Sequence, residues 1–428
     1  MDHTPEGLKV RWQVDDGCQA GSFEKPVSIE TAVAAAVAMS QPLYRFEVVR
    51  LLRARSRVCA IDIRAPISIP PFDNSAMDGF AIHSSMIATG MGPWVFDIAG
   101  TVAAGDLPPD HVDMSLALRI FTGASMPKGF DTVIRQEDCD VAGERLTVHS
   151  RPRGSANVRH SGEDVASGML VVRKGELITP NKIALLAALG IGEVEVYAPV
   201  RVGFFTTGSE LVEPGQQLGH AQIFNSNKYF LAASLTEPWV ELIDFGQVRD
   251  DRKLISDMIA AVVARCDVLL TTGGASAGRE DHLAAALQEN GGRFEIAKVA
   301  MRPGKPLKMG RLGNGIFGAL PGNPYAAAVT FNQIVMPAIR RTAGLASVHS
   351  VAQVGVAAFT YRKTAGRSEF IPISVAGSDS LGRPRLQMLE KGSAGRLFPL
   401  SVADGVAHLP EDVIEIVEGL PIPFFPLS

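Results

Sequence analysis

The sequence predicts a multidomain α/β-plus-β protein. It has a doubly wound parallel α/β domain, a mostly β insert, a helical N-terminal domain that the insert interrupts, and a C-terminal β-barrel. Three observations predict this. Between about Val200 and Ala343, apolar β-branched runs alternate with helical patterns, as in a parallel sheet covered on both faces. From Ile61 to about His149, short β-like runs separated by Gly, Pro and Asp stand between helical segments. From Val348 to Ser428 the chain returns to short strands and turns. A chain of 428 residues is also too long for one core and calls for about two to four domains. The expected divisions are 25–62 with 150–197, 63–149, 198–345 and 346–428.

Taken in order, residues before about Glu24 are polar and irregular and are expected to be disordered. Ser28 to Met39 reads as a helix with Ser28 as its cap and an alanine-rich interior. Trp94 to Ala99 and Leu116 to Phe121 are β-like runs of the insert. Thr179 caps a second helix, Pro180 fits its first turn, and Gly190 closes it after Ile183 to Leu189. In the α/β region, Val202 to Thr206, Val240 to Phe245, Val268 to Thr272 and Ile316 to Leu320 are the strands. Helices are expected at Lys228 to Leu235, Leu254 to Ala264, Leu283 to Gln288 and Ala326 to Ile339.

Composition excludes several classes. The chain is 46% hydrophobic and 20% charged with a net charge of −4, without the basic bias of a nucleic-acid binder. No apolar run approaches the ~18 residues that span a bilayer, and no basic-then-apolar signal pattern opens the chain, so a cytoplasmic location is expected. Cys18, Cys59, Cys139 and Cys266 are scattered, form no Cys-x-x-Cys pair, and read as reduced packing thiols rather than a zinc site.

Ligands of an open parallel sheet bind at the carboxyl ends of its strands. One strand runs out into Thr206-Thr207-Gly208-Ser209-Glu210-Leu211, a second into Thr271-Thr272-Gly273-Gly274, and a third into Leu320-Pro321-Gly322-Asn323-Pro324. Glycine lets backbone N–H groups approach an anion closely, and a following helix N-terminus adds a favourable dipole. Three such turns on one sheet make a rim suited to a phosphate-bearing ligand. Arg302 and Lys305, in the stiff Met301-Arg302-Pro303-Gly304-Lys305-Pro306 loop, add positive charge. Glu210, Asp250 and Asp281 lie at or beside strand ends, although Asp281 could charge a helix start and Asp250 could open a turn. Anion-binding loops together with carboxylates point to a bridging divalent ion, Mg²⁺ above all. There is no Walker loop, Gly-x-Ser-x-Gly elbow or His-Glu-x-x-His, and the nine histidines are dispersed.

Pro70-Pro71-Phe72-Asp73-Asn74-Ser75-Ala76-Met77-Asp78-Gly79-Phe80 has neither hydrophobic period and is expected to do little for a core. It resembles the signature of the molybdopterin molybdenumtransferases, the MoeA type shared with the C-terminal domain of gephyrin. Further motifs agree in order: Thr122-Gly123-Ala124 with Pro127 and Gly129, Gly162-Glu163-Asp164, the three glycine turns, and Pro303-Gly304-Lys305-Pro306. The resemblance runs from about Lys25 to the end.

The resemblance implies an elongated homodimer whose α/β domain binds molybdopterin, with the site where one subunit's α/β domain faces the other's β insert. It implies an enzyme that takes adenylylated molybdopterin and molybdate, requires Mg²⁺, inserts molybdenum at the dithiolene and releases AMP. Asp78, Glu210, Asp281 and Lys305 match catalytic positions, and Asp250, Asp281 and Glu210 those of the metal. Thr122, Asp164, Thr207, Gly208, Ser209, Asp250, Gly273, Gly274, Arg302, Gly322, Asn323, Arg367 and Ser393 match substrate-binding positions. A molybdopterin adenylyltransferase and recipient molybdoenzymes are the implied partners. The competing readings are a non-catalytic molybdopterin-binding carrier or scaffold, and adenylyl transfer to molybdopterin. Departures from the family pattern are Tyr325-Ala326 in place of Val-Ser, Arg302 in place of lysine, and the basic stretch Arg50 to Arg64.

Overall fold

The computed structural model describes residues 25–87, 92–273, 282–389 and 395–427. The expectation of disorder before Glu24, and Cys18, lie outside them. Helix α1 (Ile29–Met39) starts where Ser28 accepts a hydrogen bond from the Thr31 N–H at 3.1 Å. Its buried residues, Ile29, Ala32, Ala36 and Met39, recur at three- and four-residue spacing and so form one stripe. The chain then forms strand β1 (Phe46–Arg50) and enters the insert.

The insert contains β2 (Gly79–Ile82), β3 (Trp94–Val102), β4 (Ala117–Ile120), β5 (Thr132–Arg135), β6 (Cys139–Ala142) and β7 (Arg145–Val148). They make one six-stranded sheet in the order β5-β2-β4-β3-β7-β6. After it come helix α2 (Pro180–Ala188), capped by Thr179 as expected, and β8 (Glu193–Tyr197), which pairs antiparallel with β1. Leu51, Ile63, Val172, Ile178, Leu186, Val194 and Val196 form the small core of this returning segment.

The α/β region consists of β9 (Val200–Thr207), α3 (Ser226–Ser234), β10 (Val240–Val248), α4 (Arg252–Val262), β11 (Val268–Thr272) and α5 (His282–Glu289). It continues through β12 (Arg293–Ile296), β13 (Lys308–Leu312), β14 (Gly315–Leu320), α6 (Pro324–Thr330) and α7 (Met336–Thr342). The sheet order is β10-β9-β11-β14-β13-β12, parallel across its first four strands and antiparallel at the last two. Alternation along the central strands explains the double winding. Val202, Phe204, Leu270, Ile316 and Leu320 share a core with α1, α3, α6 and α7, whereas Phe205, Leu269, Phe317 and Ala319 meet α4 and α5 on the other face. Helix α1 packs on this layer against α7, β12 and β13. The chain therefore builds part of the α/β core before the smaller units.

Ala326 to Ile339, expected as one helix, is α6 and α7 joined by a π turn over Phe331–Val335. Pro337 supplies the reason: it lacks an N–H, and its ring would press on the carbonyl four residues back, so the ladder widens there.

The C-terminal unit comprises β15 (Gln353–Ala357), β16 (Ser368–Ser378), β17 (Pro384–Met388), β18 (Gly405–Leu409) and β19 (Pro421–Pro426). The order β16-β17-β15-β19-β18, with β18 pairing again to β16, closes a barrel. Met301–Arg302 joins the edge of β16, so the barrel grips a loop of the α/β region. Tyr325, 2% exposed, donates from its hydroxyl to the Phe370 carbonyl at 2.9 Å across the same joint. Tyr325→Phe is expected to cost about 1 kcal/mol, read as a lower denaturant midpoint at unchanged slope. Cys59, Cys139 and Cys266 are free thiols, and burial pushes that of Cys266 up to about 11.

Candidate functional site

Strands β9, β11 and β14 are neighbours in register, so their carboxyl ends bring the three glycine turns side by side. Thr206 lies opposite Thr272, and Thr272 opposite Leu320. Gly273 has φ +92°, and a Cβ there would stand 2.0 Å from the Thr207 carbonyl oxygen, so only glycine lets the two turns touch. A Cβ on Gly322 would come 3.7 Å from the Gly273 Cα, which places the third turn against the second. Asn227 of α3 ties two of the strand ends together: its Nδ2 donates to Thr272 Oγ1 at 2.7 Å and to the Gly322 carbonyl at 2.8 Å. Gln247 of β10 holds the outer turn, donating to the carbonyls of Gly208 at 2.7 Å and Leu211 at 3.2 Å. Neither amide side chain stood out in the sequence, because an isolated Asn or Gln carries no motif.

Glu210 folds back over this turn, since a Cβ on Gly208 would meet its Oε2 at 2.8 Å. Ser209 precedes it in the same exposed loop. Asp250 is exposed two residues beyond β10, whose last residue, Val248, is paired with Thr207. Asp251 is the residue that caps α4, accepting from the Leu254 N–H at 3.0 Å. Thr207 Oγ1, Thr271 Oγ1 and Asn227 Oδ1 are buried without a hydrogen-bond partner beneath the rim. Gly274, Asp281 and Ser393 lie outside the described residues. Among those described, no three His, Cys, Asp or Glu side chains gather as a metal cluster.

The basic loop is at the same edge. β13 runs antiparallel to β14 with Lys308 opposite Ala319, so the 297–307 connection leads into the sheet beside the end of β14. Gly304 is forced by crowding: φ is +121°, and a Cβ would strike Thr330 Cγ2 at 2.4 Å. Arg302 and Lys305 are exposed, and Arg367 of the barrel is half-buried. Both arginines face Glu369, a buried carboxylate unnoticed in the sequence although it is a lone charge entering the apolar run Phe370–Ile373. The barrel also reaches Asn323, whose Oδ1 would lie 4.0 Å from a Cβ on Gly395.

A second cluster stands on the insert. Asp78 Oδ1 accepts from both the backbone N–H and the hydroxyl of Thr122, each at 2.8 Å, and its Oδ2 is not engaged by a described residue. The Thr122 N–H, then its hydroxyl, and more weakly Arg119, hold the Asp78 carboxyl below the usual carboxylate range. Asp73 accepts from the Ser161 N–H at 2.7 Å and meets His160 Nδ1 at 3.2 Å. The Gly162 N–H donates to the Pro70 carbonyl and that of Asp164 to Ile69, bringing exposed Asp164 beside the start of the undecapeptide. Among the described residues, no hydrogen bond or ion pair joins this cluster to the glycine rim.

Sequence families match in the same order as these units. Residues 27–190 match the MoeA N-terminal region (domain I and II), 203–341 a probable molybdopterin binding domain, and 354–427 the MoeA C-terminal region (domain IV). A molybdopterin molybdenumtransferase of Haemophilus influenzae is 37% identical over 326 residues, covering 76% of this chain and 80% of that protein. Molybdopterin molybdenumtransferase 2 of Mycobacterium tuberculosis is 32% identical over 391 residues, covering 89% and 95%. The crystal structure of a molybdopterin biosynthesis MoeA protein from Pyrococcus horikoshii superposes with a TM-score of 0.81 at 27% identity, covering 94% of this chain and all of that one. With three family regions matched in order and most of its length in common with these proteins, the chain belongs to the molybdopterin molybdenumtransferase family.

Proposed function

We propose that this chain acts in molybdenum cofactor biosynthesis, taking adenylylated molybdopterin and molybdate, inserting molybdenum at the dithiolene and releasing AMP. The observation that carries the reading is the contact of three glycine turns at adjacent strand ends beside the Arg302–Lys305 loop. Backbone N–H groups at such turns receive phosphate oxygens, and the cations attract the remaining anionic oxygens. In this account Arg302, Lys305 and Arg367 orient the anionic substrates, and Gly208, Gly273 and Gly322 allow their close approach. The ionised Asp78 would hold or accept a proton through its open Oδ2.

The residues fit Mg²⁺. A small hard cation that keeps several waters needs only one or two carboxylates beside a substrate phosphate. Glu210 and Asp250 supply such oxygens at one edge, with Asp281 added by family likeness. When bound, the ion supplies charge neutralisation at phosphate oxygens.

Because no hydrogen bond or ion pair joins Asp78 to the rim among the described residues, the working site in this account combines the insert of one copy with the rim of another in a homodimer. A carrier or scaffold would not require Asp78 and Lys305 together. The test is incubation with adenylylated molybdopterin, Mg²⁺ and molybdate: molybdate-dependent AMP release is expected. Tight pterin binding without AMP would leave a carrier, and ATP consumption would indicate adenylyl transfer.

A further inference from the structure

The basic edge of the rim rests on a carboxylate to which the proposed reaction gives no direct task. Glu369, the second residue of β16, is 3% exposed. The Tyr361 hydroxyl donates to its Oε2 at 2.8 Å, whereas its Oε1 accepts no hydrogen bond. Facing that bare oxygen are Arg302 Nη1 at 3.6 Å and Arg367 Nε at 3.7 Å. Neither guanidinium makes a side-chain hydrogen bond to a described residue, and their side chains stay 47% and 42% exposed.

An ion pair that merely fastened the barrel to the α/β region would close to the ~2.7–2.9 Å of a bidentate bridge. Here one buried oxygen stands behind two cations whose side-chain donors make no hydrogen bond to a described residue. The backbone fixes both partners: Arg302 pairs in register with Glu369, and buried Lys363 donates to the Arg367 carbonyl at 2.9 Å. Burial, then the bond to Glu369, pushes the Tyr361 hydroxyl up to about 12, so it remains a donor across the neutral range.

We propose that Glu369 is a positioning residue, holding Arg302 and Arg367 around one shared oxygen so that their free donors, with Lys305, receive a substrate oxyanion. Like-charged guanidiniums would otherwise splay apart, and an anion would have to reassemble them on binding. That the oxyanion is molybdate rests on the function proposed above.

The test measures molybdate binding by calorimetry for wild type, Glu369→Gln, Glu369→Asp, Arg302→Ala and the Arg302→Ala/Glu369→Gln double variant. The isosteric, uncharged Gln variant is expected to weaken binding about tenfold, and the Asp variant to restore most of it. In the double variant the Glu369 loss should shrink, because only Arg367 is left for it to position. If Glu369→Gln does not fold, Tyr361→Phe, which frees the carboxylate from its fixed donor, should weaken binding about threefold. Wild-type or tighter binding by the Gln variant, losses that multiply in the double variant, or no molybdate binding by wild type would overturn the proposal. The readout needs no turnover. Protein that follows this pattern but releases no AMP would refute the transferase reading alone.

Discussion

Asp78→Asn is expected to lower molybdate-dependent AMP release by about a hundredfold or more, the range for loss of a positioned proton-transfer group. Asparagine is isosteric, and its Oδ1 can still accept both hydrogen bonds from Thr122, so the loop should keep its shape. What disappears is the charge and the open carboxylate oxygen. The pH profile follows from the same contacts. Because the Thr122 donors depress the folded-state pKa, this group's contribution to stability is present above its unfolded value, about 3.9. It is lost as pH falls through the depressed folded value. The wild-type acid limb due to Asp78 should therefore lie below the ordinary carboxylate range, and the Asn variant should lack it. A variant with near wild-type turnover would remove Asp78 from the chemistry.

Gly273→Ala should have the largest effect on stability. Its φ of +92° disfavours any side chain, and the added methyl would stand 2.0 Å from the Thr207 carbonyl oxygen, a backbone atom that cannot swing away. Strain and overpacking together are expected to cost about 3 kcal/mol and to part the two glycine turns, abolishing activity. Gly246→Ala separates these causes. Its φ is +84° but nothing lies within 4 Å of the added Cβ, so only the conformational cost of about 1 kcal/mol remains. Equal losses in the two variants, measured by denaturant unfolding, would show that the contact between the turns is not close.

The sequence revealed those features that local rules determine. Val202 to Thr206 and Val268 to Thr272 were legible as strands because they are apolar runs with β-branched content, and in the fold their successive side chains divide between two cores. The glycine turns were legible because few other functions require them at successive strand ends. Contacts between distant segments were not. The stripe on α1 says that it is buried but not that its cover is α7, and nothing local pairs Met301–Arg302 with Ser368–Glu369. Glu369 went unnoticed for the same reason: its meaning lies in the two arginines that the fold brings to it. Pro337 did carry a signal, yet an apolar helical pattern on both sides masked the π turn.

The claim that one copy's Asp78 serves another copy's rim is tested most directly by subunit complementation. Asp78→Asn and Lys305→Ala chains, each inactive alone, would be co-expressed and their AMP release measured. Half the dimers formed at random are mixed, and each contains one site with both wild-type halves, so recovery to about a quarter of wild-type activity is expected. Activity no greater than that of the two variants measured separately would contradict a shared site and confine Asp78 to its own chain.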